Sequence, residues 1–190
     1  MRENSQSNDI KSGSGEAAAK SKQRVMFVAL SGVFAALIFV ATAVTNTQVG
    51  QGYLNLGDGV ILTCAYLLGP LSFFPAAIGS ALADLMVGAV PYIPATFVIK
   101  GAMGLLAGWI MRKDNVTFPV KLIALVLAEI LMVAGYFGFE SLPFMYGPAS
   151  AALNLIPNAL QGVVGIALAL ILTGLLKSLR TRIVEGKKRA

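Results

Sequence analysis

Histidine is absent from this 190-residue chain. Its absence excludes a histidine metal site, a Ser-His-Asp triad and a histidine general base. One cysteine, Cys64, leaves no internal disulfide and no cysteine metal cluster. Cys64 lies in an apolar run and reads as a packed thiol. Neither a Gly-x-x-x-x-Gly-Lys-Ser/Thr loop nor a Gly-x-Gly-x-x-Gly stretch occurs, so active work would draw its energy from a partner or an ion gradient. No nucleophile–base constellation supports an enzyme, and nothing calls for a cofactor.

Charge is scarce as well. Asp, Glu, Lys and Arg make up 13% of the chain, about half the quarter found in soluble domains. Hydrophobic residues reach 56%, and mean hydropathy is +0.75. Such a composition needs lipid as part of its solvent. The long apolar runs lack the alternation of a transmembrane β-barrel.

The chain therefore reads as an all-α membrane protein. Residues Met1 to Gln23 are polar and rich in Ser, Gly, Lys and Asn, the composition of a disordered tail. Within them, Ser12 to Lys20 resembles a linker. The apolar run from Val25 is too long for the core of a cleavable signal peptide. Six segments follow: Arg24–Thr45, Leu56–Leu71, Ser72–Ala89, Pro94–Met111, Pro119–Phe139 and Ser150–Leu176. Each is near the ~20 residues that span a hydrocarbon core. The second and third are separated only by Gly69-Pro70, which is either a turn or a kink. The expected organisation is a tail over 1–23, a six-helix transmembrane bundle over 24–177 and a basic tail over 178–190.

Basic residues orient the bundle. Arg2, Lys11, Lys20, Lys22 and Arg24 lie in or beside the N-terminal tail. Arg112, Lys113 and Lys121 flank the fourth connection, and Lys177, Arg180, Arg182, Lys187, Lys188 and Arg189 follow the last segment. Six crossings put these three groups on one side, which the positive-inside rule makes cytoplasmic, with both termini. Lys100 alone stands elsewhere. The connections expected outside, Asn46–Asn55, Val90–Ile93 and Glu140–Ala149, carry no basic residue. The net charge of +6 is thus explained by anionic lipid at the cytoplasmic face of a plasma membrane, a bacterial one on this reading. No basic patch interleaved with aromatics supports nucleic-acid binding.

Ionisable groups inside a span are costly, so each suggests function by default. Asp58 and Asp84 fall near the outer ends of the second and third segments, Lys100 about two turns into the fourth, and Glu129 near the middle of the fifth. Glu140 closes the fifth segment. Asn154, Asn158 and Gln161 share one face of the last. Asn46, Tyr53, Asn55, Tyr92 and Tyr146 come from the outer connections. Together they suggest a binding pocket in the outer half, made by Asn55, Asp58, Asp84, Lys100, Asn154, Asn158 and Gln161. Bland readings stand beside it. Asp84 and Lys100 would serve equally as a buried ion pair. Asn55 and Asp58 would serve as helix caps, and the amides as interhelical bridges. Glu129 is either an interhelical hydrogen-bonding group or a ligand contact. On the first segment, Ser31, Gly32, Ala35 and Ala36 form small-x-x-x-small pairs that admit another backbone closely, within this bundle or on a partner. Gly101, Gly104 and Gly108 form a second small-residue ridge.

Asn55-Leu56-Gly57-Asp58, Leu67-Leu68-Gly69-Pro70, Ala77 through Leu85, Pro94 through Gly101 and the Asn154–Gln161 stretch resemble the substrate-binding (S) components of energy-coupling factor (ECF) vitamin transporters. The resemblance covers about residues 24 to 177. It implies six helices and a vitamin or precursor held near the outer face, under the loop joining the first two. It further implies docking of Ser31, Gly32, Ala35 and Ala36 on a transmembrane coupling subunit served by two cytoplasmic ATPases, and toppling of the S component to release its ligand. Many members carry an Ala/Ala pair where this chain has Ser/Ala or Gly/Ala. The sequence is closest to the hydroxymethylpyrimidine- or pyridoxine-like branch, and more distant from riboflavin binders. The competing reading is a self-contained proton-coupled transporter or channel, with Glu129, Asp84 and Lys100 as a relay.

Overall fold

A computed structural model describes the backbone of residues 2–49, 52–113 and 115–189, and the side chains of 20–47, 54–113 and 115–184. Five helical stretches among these residues are long and apolar enough to cross a membrane: Lys20–Val44, Gly57–Val87, Val90–Ile110, Phe118–Glu140 and Pro148–Leu175. Large apolar side chains such as Val28, Phe74, Met86, Ile156 and Leu175 stand on their outer surfaces, more than half exposed. A water-soluble fold does not carry apolar surface on this scale. The chain is a multi-pass membrane protein.

The first helix, α1, runs Arg2–Val44. Its backbone is continuous through the segment expected as a tail; the side chains of residues 1–19 are outside the description. A short antiparallel pair then follows, β1 (Thr47–Val49) and β2 (Gly52–Leu54), with Thr47 opposite Leu54. This corrects the all-α expectation outside the helical bundle.

The expected second and third segments fall within the single 31-residue stretch Gly57–Val87. It comprises α2 (Gly57–Leu68), a 3₁₀ turn at Gly69–Ser72 and α3 (Phe73–Val87). Gly69 breaks the helix at φ 64° and ψ −142°, a backbone shape that only glycine adopts without strain. Pro70 follows and cannot donate back to α2. The chain reverses here. Asp58 and Gly69 meet Lys100 and Gly108 of α4 (Ile93–Ile110), so α2 runs parallel to α4. Ser72 and Phe73 meet Gly104 and Gly101, so α3 runs antiparallel to it. A β-carbon on Gly108 would stand 2.2 Å from the Gly69 carbonyl oxygen, and one on Gly104 3.0 Å from that of Ser72. One on Gly101 would meet the Phe73 ring at 2.7 Å. The second small-residue ridge is therefore the seat of this turn. Ser72 Oγ secures it by donating to Gly69 O and Gly104 O at 2.7 and 2.8 Å.

Helix α5 (Phe118–Glu140) returns along α4. The last crossing is divided into α6 (Pro148–Leu153) and α7 (Leu155–Leu175), rather than the single segment expected from Ser150. Pro157 has no N–H for the Leu153 carbonyl, and the break falls at Asn154. α8 (Lys177–Arg189) ends the chain. The apolar core is built from α2, α4 and α5, with Ile61, Leu62, Met103, Leu125 and Met132 fully buried. Cys64 is buried among them as a free thiol.

The two ends of the bundle differ. The end carrying the β-hairpin gathers acidic and amide side chains. The other end carries Arg112, Lys113, Lys121 and Lys177, and it is not as apolar inside as the sequence suggests. Arg180 of α8 is 6% exposed and donates to the carbonyls of Tyr66, Met111 and Lys113. Its guanidinium lies 4.2 Å from the Tyr66 ring centroid. A cation at the carbonyl ends of α2 and α4 complements both helix dipoles. Lys121 approaches the same ring from α5, at 4.7 Å.

Candidate functional site

A cavity of about 370 Å³ opens at the hairpin end, at the low end of the range for small-molecule sites. Helix α3 ends beside it, where Gly88 adopts φ 81° and turns the chain. Pro91 and Pro94 then start α4 with a fixed φ and no N–H to satisfy. One wall is aromatic. Tyr92 stands with its ring centroid 6.3 Å from that of Tyr136 and 6.4 Å from that of Tyr146. Such faces suit an offset-stacked planar ring. The lining also includes Thr42, Asn46, Asn55, Asn158 and Gln161, with Ser80 and Asp84 from α3.

Under the cavity lies a buried polar layer. Lys100 pairs with Asp58 Oδ1, the two side chains being 5% and 0% exposed. Gln161 Nε2 donates to Asp58 Oδ2 at 2.6 Å. The Gln161 Oε1 atom accepts from the Asn55 backbone N–H at 3.0 Å and from Asn55 Nδ2 at 3.2 Å. The Asn55 Oδ1 atom in turn accepts from Gly57 N at 2.8 Å. This chain ties the residue after the hairpin to α7, α2 and α4. Helices α2 and α7 meet closely enough that a β-carbon on Gly165 would stand 3.0 Å from Asp58 Cβ. Higher up, Glu140 accepts from Tyr92 Oη and from Asn154 Nδ2, each at 3.0 Å. Thr96 and Tyr136 hydroxyls share a 2.9 Å bond.

Of the seven residues expected to bind substrate, Asn55, Asp84, Lys100, Asn158 and Gln161 line the cavity. Asp58 and Asn154 do not. Asp58 sits below, fixing Lys100 and Gln161, and Asn154 braces Glu140. Lys100 pairs with Asp58, a carboxylate that the sequence alone does not match to it. Asp58 is not a cap either: the α2 N-cap is Leu56, and Asn55 supplies the capping bond to Gly57. Glu129 takes neither expected role. It is 5% exposed, lies off the cavity, and has no hydrogen bond to either carboxyl oxygen among the described residues. Its Oε1 packs into the notch left by Gly165. The Tyr53 side chain lies outside the described residues. Thr42, Ser80, Thr96, Tyr136 and Glu140 also line it. Three of these were legible in the helical period, because Ser80, Thr96 and Tyr136 each stand four residues before Asp84, Lys100 and Glu140.

A second, apolar groove runs between α1 and α3, lined by Gly32, Ala35, Ala36, Phe39, Leu82, Leu85 and Met86. Ser31 is not part of it. Ala35 also faces inward, where Gly79 packs so closely that its β-carbon would stand 2.5 Å from the Ala35 carbonyl oxygen. The small residues of α1 thus serve packing within the bundle at Ala35, and leave an open surface at Gly32 and Ala36.

The family model for the S component of ECF-type riboflavin transporters matches residues 22–178, more than four fifths of the chain. The chain belongs to this family. Among similar proteins is the thiamine precursor transporter HmpT of Lactococcus lactis subsp. cremoris (strain MG1363). It is 35% identical over 140 residues, covering 72% of this chain and 76% of that protein. An uncharacterised Pyrococcus woesei protein is 39% identical over 117 residues, covering 61% of this chain and 76% of its own length. This S component is accordingly a transport protein of the vitamin-uptake class, and its family implies a small-molecule ligand and ECF partners.

Proposed function

We propose that this chain captures a small heteroaromatic vitamin or precursor in the cavity at the hairpin end and delivers it inward with an ATPase-driven coupling complex. The observation that carries the reading is the cavity itself: tyrosine rings, amides and hydroxyls line one space of about 370 Å³, over a buried layer that holds Lys100 and Gln161 in place. Asn55, Asp84, Lys100, Asn158 and Gln161 contact the ligand in this reading. Asp58 and Asn154 position them.

Hydroxymethylpyrimidine or pyridoxine is the preferred ligand class. A cavity of about 370 Å³ suits one substituted ring better than a tricycle with a sugar-alcohol chain, and the similarity to HmpT points the same way. Six crossings follow when α2 and α3 each make one crossing. The basic end then faces the cytoplasm with both termini, and the hairpin end faces outward. The groove at Gly32 and Ala36 is the surface offered to a transmembrane coupling subunit, which two ATPases drive.

Native mass spectrometry and calorimetry of the purified chain with hydroxymethylpyrimidine, pyridoxine and riboflavin test the proposal. Retention of one single-ring compound at micromolar concentration is expected. Retention of none of the three at that concentration would refute the capture reading. Proton-driven uptake by the chain alone in liposomes would favour a self-contained transporter instead.

A further inference from the structure

The cavity carries an uneven charge. Its titratable lining includes two carboxyl groups, Asp84 and Glu140, and among the described residues one ammonium, Lys100. That ammonium is already engaged with Asp58, which is fully buried below it. Lys100 Nζ also stands over the Tyr136 ring, 5.4 Å from its centroid. A further carboxyl group, Glu129, lies under the same floor beside Asp58. The other basic side chains flanking α4, α5 and α7 belong to the opposite end of the bundle, as the bonds of Arg180 to Met111 and of Lys121 to Thr173 show.

Two helix starts near the cavity each offer one donor fewer. The first amide of α2, Gly57 N, is taken by Asn55 Oδ1. Helix α4 opens with Pro94 near its start, which has no N–H to offer. A phosphate group is held by cations or convergent backbone N–H groups, and among the described lining residues the one cation already has a carboxylate partner. A neutral or cationic ring bearing N–H or O–H donors meets acceptors instead, at Asp84, Glu140, Ser80 and Asn158.

We infer that the cavity selects by charge, admitting a neutral or cationic donor-bearing ring and rejecting the phosphate ester of the same compound. The inference rests on the capture reading and adds to it a discrimination between metabolic forms of one ligand. Asp58 is central to it. By pairing with Lys100, it offsets the charge of the one cation among the described lining residues.

The test compares free alcohol and monophosphate for hydroxymethylpyrimidine and for pyridoxine, by calorimetry on the purified chain at pH 7.5. A phosphate carries about −1.5 to −2 charges near neutral pH. Like charges in a partly desolvated cavity repel at an effective dielectric near 20, so the ester should bind weaker by about 100-fold or more. Asp84→Asn and Glu140→Gln should each narrow that ratio. Asp58→Asn, which keeps an acceptor for Gln161 but frees Lys100, should narrow it most. Comparable binding of alcohol and ester by the unaltered chain would overturn the inference while leaving the capture reading intact. A ratio unchanged in all three variants, with alcohol binding retained, would overturn it too. Binding of neither form of either compound would refute the single-ring capture reading on which it rests.

Discussion

Removing Asp58 should show what the buried pair does. Asp58 and Lys100 are 0% and 5% exposed, and Asp58 also accepts from Gln161 at 2.6 Å. Asp58→Ala would leave a buried ammonium without its counter-ion and an amide without its acceptor. Breaking a buried pair from one side costs about 3–5 kcal/mol. For a chain of this length, each kcal/mol moves Tm by roughly 2–4 °C. The variant should therefore melt about 6–20 °C lower in detergent, followed by Trp109 fluorescence or loss of the monodisperse size-exclusion peak. The double variant Asp58→Asn/Lys100→Met removes both charges while keeping an acceptor for Gln161. It should return to within about 1 kcal/mol of the parent, because uncharged replacements of buried pairs are commonly neutral or stabilising. Its ligand affinity should nevertheless fall, since Lys100 reaches the cavity. A loss under about 1 kcal/mol for Asp58→Ala, or a double variant as unstable as the single one, would refute the reasoning.

Three further outcomes are expected. Asn158→Ala should weaken ligand binding by about 2- to 10-fold, the worth of one ordinary hydrogen bond, with Tm unchanged; intact affinity would remove Asn158 from the site. Arg180→Ala should destabilise the basic end by at least about 1.5–3 kcal/mol and speed proteolysis within residues 177–184. Arg180→Lys should not rescue it, because an ammonium cannot reproduce the planar fork that reaches three carbonyls. Ala36→Leu fills the groove between α1 and α3 and should abolish co-purification with the coupling subunit, while the isolated chain binds ligand as before.

The helical segments were legible because lipid demands long apolar runs. The fourth, fifth and sixth have boundaries within a few residues of those read from hydropathy, whereas α1 begins at Arg2 and the second and third segments form one stretch. The turn between α2 and α3 was legible only as an ambiguity. Gly69-Pro70 fits a turn or a kink, and the close seat offered by Gly104 and Gly108 decides it. The β-hairpin escaped because three-residue strands leave little periodic signal. At the site, membership was more legible than pairing. Buried polar residues at helical spacing identify a face, but which carboxylate takes Lys100 depends on how α2 and α3 pack on α4. Asp84 is the nearer candidate in sequence, and Asp58 is paired with it in space. Arg180 was read as one more flanking charge, since sequence position at the end of a span does not show that the side chain folds back under the bundle.

The polar layer explains why a protein in lipid keeps so many costly groups at one level. Asn55 adjoins the hairpin, Gln161 belongs to α7, Asp58 to α2 and Lys100 to α4. A ligand touching Lys100, Gln161 and Asn55 therefore touches three elements already joined by hydrogen bonds. Ordering any one of them orders the others, because in a low-dielectric interior each donor left without its acceptor carries a desolvation cost. An apolar floor of the same shape would hold the ring as well by contact alone. It would not link occupancy of the cavity to the seating of the hairpin. Retention of the layer is thus better explained by coupling between ligand and hairpin than by stability, to which a buried ion pair contributes little over apolar side chains of equal size.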